Sequence, residues 1–215
     1  MSKEQRVTDF YVICNKLKYV IRTGWKDWHV TRERVESVAE HVYGVQMLAL
    51  AMWSEYPEYK DIDIMRVIMM LAVHELGEAD IGDITQFQAE YKNKEEMEHA
   101  AVHKILSPLM SGELIESLFL EFDSKETPEA FFAYQCDKLE CDIQSKLYDE
   151  DGSVDLNNQE GNKTMDHPAV KALLDAGDSW STMWLKFGQN KYPYDDNFRA
   201  VSQYAMDHQL QNKGR

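Results

Sequence analysis

The sequence is short of cysteine and proline. Its three cysteines, Cys14, Cys136 and Cys141, form no CxxC pair and no even-numbered set, which argues against a disulfide framework and favours free thiols in a reducing cytoplasm. Each of the 5 prolines in 215 residues fits between helices or at the start of one. We find no convincing β-strand pattern, so an all-α fold is expected.

Long apolar runs and an excess of basic residues are also lacking. The longest apolar run, at 68–73, is far too short to span a bilayer, and the N-terminus lacks the layout of a signal peptide. With 23 basic and 38 acidic residues, the net charge of −15 disfavours binding to nucleic acid or an anionic membrane. We therefore expect a cytoplasmic protein, and a small phosphorylated substrate stays open because a metal can reverse the local charge.

Apolar residues recur at three- and four-residue steps along most of the chain, which predicts one all-helical domain over residues 1–215. Ser37 with Glu40 resembles a capping box, Asp63 can cap the next helix, and Thr127 precedes a proline at a helix start. Loops are expected at 78–87 and 149–165. The predicted helices run from about 10–21, 37–55, 63–74, 94–106, 112–122, 127–148, 168–187 and 196–212.

Ionisable side chains on apolar helix faces mark a candidate metal site. His41 lies in VAEHVYGV, His74 and Glu75 end IMMLAVHELGE, and Asp137 lies in FFAYQCDKLECDI. A charged carboxylate in such surroundings is costly unless it is paired or bound to a metal. Two imidazoles and two carboxylates suit one divalent ion such as Mn²⁺, Fe²⁺, Co²⁺ or Zn²⁺, with Mg²⁺ also open, better than Ca²⁺.

The spacing of these residues does not establish that they meet. A single histidine on an apolar face is more often a hydrogen-bonded core residue than a ligand. Neighbouring residues of a helix also point about 100° apart, so His74 and Glu75 could share an ion only if it lay between their directions. His99 and His103, four residues apart, are interpreted as a surface pair.

Three segments resemble a known family. RTGW (22–25), RVESVAEH (34–41) and HELGEADIGDITQF (74–87) are similar to the HD-domain metal-dependent phosphohydrolases. More narrowly, they resemble the branch of the YfbR-like 5′-deoxynucleotidases, over residues 10–150. The resemblance implies a single HD-type helical bundle and phosphate removal from deoxynucleoside 5′-monophosphates by a metal-activated water.

The resemblance also implies roles for individual residues. His41, His74, Glu75 and Asp137 fall on the metal-ligand positions, with glutamate replacing the aspartate of the usual His-Asp doublet. The longer side chain reaches farther and can alter the geometry or the metal preference. The remaining implied positions are Glu78 and Asp83 for catalysis, and Arg22 and Trp25 for the substrate, with Arg34 a second candidate for the phosphate.

Alternatives to a nucleoside monophosphatase stay open at this point. One is an HD-type phosphohydrolase of another small phosphorylated substrate. Another is a non-catalytic module in which a degenerate His-Glu doublet binds a nucleotide or a partner protein. We expect a homodimer, and the C-terminal helices within 167–212 could close the pocket or form the dimer interface.

Overall fold

A computed structural model describes residues 1–85 and 88–211, without the side chains of residues 89 and 90. Gln86 and Phe87, which end the motif segment 74–87, lie outside the described residues. So do residues 212–215, with the last residue of the predicted final helix.

The regular secondary structure of the described residues is entirely helical, which confirms the predicted all-α class. They contain no β-strand, only an isolated bridge between Ile21 and Ser37. Three 3₁₀ turns, Lys16–Lys18, Pro57–Tyr59 and Ala89–Asn93, join some of the helices. The α-helices are α1 (Lys3–Asn15), α2 (Thr23–Asp27), α3 (Val38–Glu55), α4 (Ile64–Val73), α5 (Glu78–Ile81), α6 (Lys94–Leu106), α7 (Gly112–Ser124), α8 (Pro128–Glu150), α9 (Pro168–Asp175), α10 (Trp180–Lys191) and α11 (Asp196–Asp207).

The backbone contacts divide the chain into two compact units. The first unit comprises Met1–Thr23 and Glu36–Tyr134, and the second comprises Gly24–Val35 and Gln135–Arg215. The expectation that the whole chain forms a single domain stays a prediction. None of the described helices is long and apolar enough to cross a membrane.

The first unit is a layer of packed helices with a continuous apolar core. Helix α4 packs on α3 and α7, α6 packs on α5 and α7, and α1 contacts α5 and α6. Fully buried aliphatic side chains fill the space between them, including Val38, Val45, Val67, Leu71 and Leu106. This packing fixes the faces of α3 and α4 that carry the candidate ligands.

The predicted helix starts are present in the structure. Ser37 and Glu40 form a complete capping box at the start of α3. Asp63 accepts a hydrogen bond from the backbone N–H of Arg66 at the start of α4, and the Thr127 hydroxyl accepts one from the backbone N–H of Ala130. Local side-chain chemistry therefore sets where these helices begin.

The first predicted helix is wrong at its C-terminal end. Helix α1 ends at Asn15, and the chain then leaves helical geometry before residue 21. The backbone N–H of Val38 donates to the carbonyl of Val20, and that of Arg22 donates to the carbonyl of Glu36. This pairing with the approach to α3 outweighs the apolar spacing that favoured a longer helix.

Two further element predictions are also wrong. Residues 78–87 were expected to form a loop, but Glu78–Ile81 make a single helical turn that ends at Gly82, where φ is +78°. The predicted helix 168–187 is two helices, α9 and α10. Gly177, with φ of +92°, follows the end of α9, and the Ser179 hydroxyl caps the start of α10. Glycine is common just after a helix and serine is common at a helix start, so both boundaries are encoded in the local sequence.

The second unit has an aromatic core and a buried polar group. Trp28, Tyr148 and Trp180 are almost completely buried. The Asp142 carboxylate is also buried, and its Oδ2 accepts a hydrogen bond of 2.9 Å from the Tyr194 hydroxyl. A Cβ atom built at Gly188 would lie only 2.0 Å from that oxygen.

Gly188 therefore provides the space that the Asp142 carboxylate occupies. We expect Gly188→Ala to lower the free energy of unfolding by about 1–3 kcal/mol, the usual cost of overpacking, measured by urea denaturation. Gly24→Ala is the matched control, because a Cβ at Gly24, within α2, meets no atom within 4 Å. Equal stability of the Gly188→Ala variant and the wild type would contradict this prediction.

Candidate metal centre

Three of the four predicted ligands lie together in the first unit. His41 is fully buried on α3, His74 is buried at the C-cap of α4, and Glu75 follows it in the chain. Their ligand atoms all lie within 4.8 Å of one another. The fold of this unit thus brings His41, His74 and Glu75 together, and their role as metal ligands stays a proposal.

The two imidazoles point their Nε2 atoms at one carboxylate oxygen. Oε1 of Glu75 lies 3.7 Å from His41 Nε2 and 3.7 Å from His74 Nε2. Nδ1 of His74 lies 2.7 Å from the backbone carbonyl oxygen of Leu71. A hydrogen bond from Nδ1 to that carbonyl fixes the ring and directs Nε2 toward the ligand position, as at most histidine metal sites.

His74 and Glu75 lie in the tight turn that follows helix α4. Helix α4 ends at Val73, and residues 74–77 form a turn in which the backbone N–H of Glu78 donates to the carbonyl of Glu75. Nε2 of His74 and Oε1 of Glu75 lie 3.7 Å apart, so the two neighbours do meet at one point. Because α4 ends at Val73, the idea that His74 and Glu78 share a face of one continuous helix is wrong.

Glu75 is balanced by positive charge. Arg22 donates a hydrogen bond of 3.0 Å from a guanidinium nitrogen to the same oxygen that faces the two histidines. Burial alone would raise the pKa of Glu75, but charge on His74, Arg22, Lys94 and His41 outweighs burial and holds that pKa well below its ordinary value. The lowered pKa favours the ionised form of Glu75, which is the form that binds a metal.

Arg22 is held in place by the backbone pairing of residues 20–22 with 36–38 and by its neighbour Thr23. The backbone N–H of Thr23 donates to Oδ2 of Asp83, and the Thr23 hydroxyl donates to the carbonyl of Asp83. Two of the motif segments recognised in the sequence are thereby tied together. Asp83 is thus positioned close to the segment that carries Arg22.

Glu78 lies beside this group with one oxygen engaged and one available. Its side chain is fully buried, and Oε1 lies 3.3 Å from Nζ of Lys94. Oε2 has no hydrogen-bond partner among the described residues. Burial raises the pKa of Glu78 well above its ordinary value, and the negative charges of Glu75 and Asp83 raise it further, so this carboxyl group binds a proton more readily than a surface glutamate.

Lys94 and Glu98 are site residues that the sequence analysis missed. Both lie on α6, and Nζ of Lys94 is 3.3 Å from Oε1 of Glu98. Burial, followed by the charge of Glu75, raises the pKa of Glu98 to about 7 despite the opposing charge of Lys94. A lysine and a glutamate four residues apart on a charged helix look like an ordinary surface pair, so the sequence offered no signal for either.

Asp137, the fourth predicted ligand, belongs to the second unit. It lies on α8 with an exposed fraction of only 3%. Nζ of Lys138 is 2.7 Å from its Oδ2. Burial of Asp137 agrees with the sequence prediction, and its role as a ligand stays a proposal.

The other predicted substrate residues also lie in the second unit. Trp25 is 2% exposed and packs against Tyr148, with ring centroids 5.3 Å apart, and against Trp180 and Trp184. A stacking role for Trp25 would require this cluster to open, and it stays a prediction. Arg34 is exposed, and its contact with a phosphate also stays a prediction.

The residues of the first unit fit a divalent ion. Nitrogen and carboxylate ligands lie about 2.0–2.2 Å from an ion such as zinc, so two donors of one ion lie at most about 4.3 Å apart. The separations of 3.7 Å between Glu75 Oε1 and each imidazole nitrogen satisfy this limit. A mixed N/O donor set without thiolate matches a borderline transition metal.

Comparison with known proteins agrees with this geometry. A family model described as an HD domain matches residues 14–173. The chain belongs to the HD-domain family. The predicted family resemblance and the predicted HD-type fold are both confirmed.

Two relatives of this HD-domain chain carry a functional name. The 5′-deoxynucleotidase hdd1 of Schizosaccharomyces pombe is 33% identical over 201 residues, which cover 88% of this chain and 98% of that protein. The 5′-deoxynucleotidase HDDC2 of Dictyostelium discoideum is 35% identical over 149 residues, 66% of this chain and 77% of that one.

The fold is shared with a solved structure as well. A conserved hypothetical protein from Pyrococcus furiosus superimposes with a TM-score of 0.67 and 25% sequence identity, over 94% of this chain and 99% of that chain.

The geometry predicts which histidines bind the metal. His41→Ala and His74→Ala should each weaken Mn²⁺ binding by at least about 100-fold, because each removes an atom that binds the metal directly. Even the loss of a residue that only hydrogen-bonds to a metal ligand typically lowers metal affinity by about 10- to 100-fold. Isothermal titration calorimetry of the purified protein measures this. His103→Ala is the control, because His103 is exposed and paired with Glu116, and it should leave the affinity unchanged. Unaltered Mn²⁺ affinity in both site variants would refute the assignment.

Proposed function

We propose that this HD-domain protein is a metal-dependent phosphohydrolase that removes phosphate from nucleoside or deoxynucleoside 5′-monophosphates. The observation that carries the proposal is the convergence of His41 Nε2, His74 Nε2 and Glu75 Oε1, with a buried Glu78 carboxylate close by. The substrate class is supported by the relatives named 5′-deoxynucleotidases, one of which matches over 98% of its length.

The charge balance of the first unit supports a requirement for metal. Four carboxylates, those of Glu75, Glu78, Asp83 and Glu98, act on one another and on two cations, Arg22 and Lys94. If all six groups were ionised the local charge would be −4 + 2 = −2, and the raised pKa values of Glu78 and Glu98 show that burial and this excess of negative charge oppose full ionisation. A phosphate monoester would be repelled by this charge, and a divalent ion would cancel it.

The proposed site residues divide the reaction between them. A bound divalent ion would act as a Lewis acid toward the phosphoryl group and increase the acidity of water. Glu78 presents Oε2 as the acceptor for the proton of the attacking water, and its raised pKa suits such a general base. Arg22, whose guanidinium group donates a hydrogen bond to Glu75, is proposed to bind the phosphate by charge-assisted hydrogen bonds.

Asp83 and Asp137 are proposed to complete the site. Asp83 is held by Thr23, and its carboxylate is proposed to orient the water that Glu78 deprotonates. Asp137 matches the fourth ligand position that the family resemblance implies, and its burial supports that role. We propose Mn²⁺, Co²⁺, Fe²⁺, Zn²⁺ or Mg²⁺ as the metal, since the donor set suits a borderline divalent ion.

A non-catalytic binding module remains the alternative from a different class. The Arg22–Glu75 ion pair favours it, because the positive charge of Arg22 could neutralise Glu75 in place of a metal ion. The two functions differ in whether the metal-loaded protein releases phosphate. Hydrolysis of a different small phosphate ester is the nearer alternative, and the same assay distinguishes it.

The enzyme should release inorganic phosphate from deoxynucleoside 5′-monophosphates when Mn²⁺ or Co²⁺ is supplied, and should stop when the metal is chelated. His74→Ala should lower the rate by at least about 1,000-fold, because a catalytic metal contributes several kcal/mol to the barrier. A phosphate-release assay over the four deoxynucleotides, their ribonucleotides and simple sugar phosphates measures this.

His99→Ala is the matched control for this assay, because His99 is a paired histidine of α6 that is placed outside the proposed site. Its activity should equal that of the wild type. Metal binding by the wild type without phosphate release from any of these compounds would favour the binding module.

A homodimer and a cytoplasmic location also stay predictions. Support for the homodimer comes from one face of α3 that leaves Tyr43, Met47, Leu50 and Trp53 exposed, at the three- and four-residue steps of a helical stripe. Monomers seldom expose contiguous apolar surface of this kind. We propose that a second copy of the chain covers it.

Leu50→Asp should therefore convert the dimer to a monomer, because it places a charge in the apolar contact. Light scattering coupled to size-exclusion chromatography measures the mass. Leu114→Asp serves as the control, since Leu114 is an exposed leucine of α7 and its replacement should leave the mass unchanged. A wild type that is monomeric, or a Leu50→Asp variant that stays dimeric, would exclude this interface.

A further inference from the structure

The buried glutamate of the site is held by a lysine that belongs to another helix. Nζ of Lys94 lies 3.3 Å from Oε1 of Glu78 and 3.3 Å from Oε1 of Glu98. The Lys94 side chain is 20% exposed and the Glu78 side chain is fully buried. The ammonium group thus bridges α5 and α6 where both border the metal centre.

The contact engages only one oxygen of Glu78. Oε1 faces Lys94, while Oε2 is buried and has no hydrogen-bond partner within the described part of the chain. A buried oxygen that lacks a hydrogen bond is costly to the folded state. Such an atom in a folded protein indicates a position where a ligand or a water molecule forms a hydrogen bond.

Gly77 allows the turn before α5 to lie close to α6. A Cβ at Gly77 would lie 3.3 Å from both Cα and the carbonyl oxygen of Glu98. The absence of a side chain at Gly77 therefore lets the turn before α5 approach α6 closely. Glu98, one helical turn after Lys94, also contacts the ammonium group, with Nζ 3.3 Å from its Oε1.

We propose that Lys94 is a positioning residue, which holds Glu78 through Oε1 so that Oε2 stays directed at the water or hydroxyl group from which it takes a proton. The inference rests on the proposed hydrolase function and extends it to a residue outside the family motifs. Lys94 touches neither substrate nor metal in this role. Lys94 instead fixes the orientation of the Glu78 carboxylate, which accepts the proton.

A purely structural ion pair is the competing explanation, and the chain offers a matched control for it. Lys104 also lies on α6 and pairs with Asp80 of α5, with Nζ 2.8 Å from Oδ2. That side chain is 70% exposed, and its partner is 36% exposed. The two pairs join the same helices, but only the pair of Lys94 with Glu78 is buried at the site.

The test compares Lys94→Met, Lys94→Arg and Lys104→Met in the full-length protein loaded with Mn²⁺. At saturating Mn²⁺, Lys94→Met should lower kcat for the best deoxynucleotide by about 10- to 100-fold, the cost of misplacing a catalytic group by about 1 Å, with KM unchanged. Lys94→Arg should recover most of kcat because it restores a donor to Oε1. Lys104→Met should match the wild type.

Several results would overturn the proposal. Wild-type kcat in Lys94→Met would do so, as would an equal loss in Lys104→Met. A rise in KM at constant kcat would make Lys94 a phosphate-binding residue instead. Should Lys94→Met fail to fold, Glu98→Gln removes the other anchor of the ammonium group and should lower kcat in the same direction.

A crystal structure of Lys94→Met with Mn²⁺ separates this inference from the proposed function. The Glu78 carboxylate should rotate away from its wild-type orientation if Lys94 holds it. An unchanged Glu78 would refute the positioning role whether or not the protein hydrolyses nucleotides. An inactive wild type would refute the proposed function and leave this structural comparison to decide the role of Lys94.

Discussion

The ionised carboxylate of Glu75 is the group around which the first unit is arranged. A buried negative charge is tolerated only when nearby positive charge or a metal offsets the loss of water. Arg22 provides one such charge at 3.0 Å, and two imidazole nitrogens face the same oxygen at 3.7 Å. Helices α3 and α4, the break after Val73 and the backbone pairing of residue 22 all serve to bring these groups together.

The same electrostatic constraint extends outward from Glu75. Glu78, Asp83 and Glu98 add negative charge, and burial already raises the pKa of Glu78 and of Glu98. Lys94 is therefore needed within the cluster as much as Arg22 is. We propose that a divalent ion completes this charge balance.

Much of this arrangement can be predicted from the sequence, because it is encoded locally. The helix starts at Ser37, Asp63 and Thr127 depend on side chains within three residues, and they were predicted correctly. Convergence of His41, His74 and Glu75 followed from the family resemblance. By contrast, the end of the first helix is followed by a pairing of residues 20–22 with 36–38 that apolar spacing does not register.

Lys94 and Trp25 show two limits of sequence patterns: Lys94 was missed, and Trp25 was singled out by a motif. Lys94 looks like a solvated lysine on a charged helix, and only the close approach at Gly77 brings it to Glu78. Trp25 belongs to a recognised motif, but its ring packs within an aromatic cluster. Contacts between residues far apart in the chain decide both cases.

Anomalous diffraction from crystals grown with Mn²⁺ tests the central claim most directly. We predict one strong anomalous peak within about 2.0–2.3 Å of His41 Nε2, His74 Nε2 and a Glu75 oxygen, the distances of nitrogen and carboxylate ligands. Manganese bound only elsewhere, for example beside His99 and Asp123, or an Arg22–Glu75 pair that persists with no ion beside the two imidazoles, would contradict it.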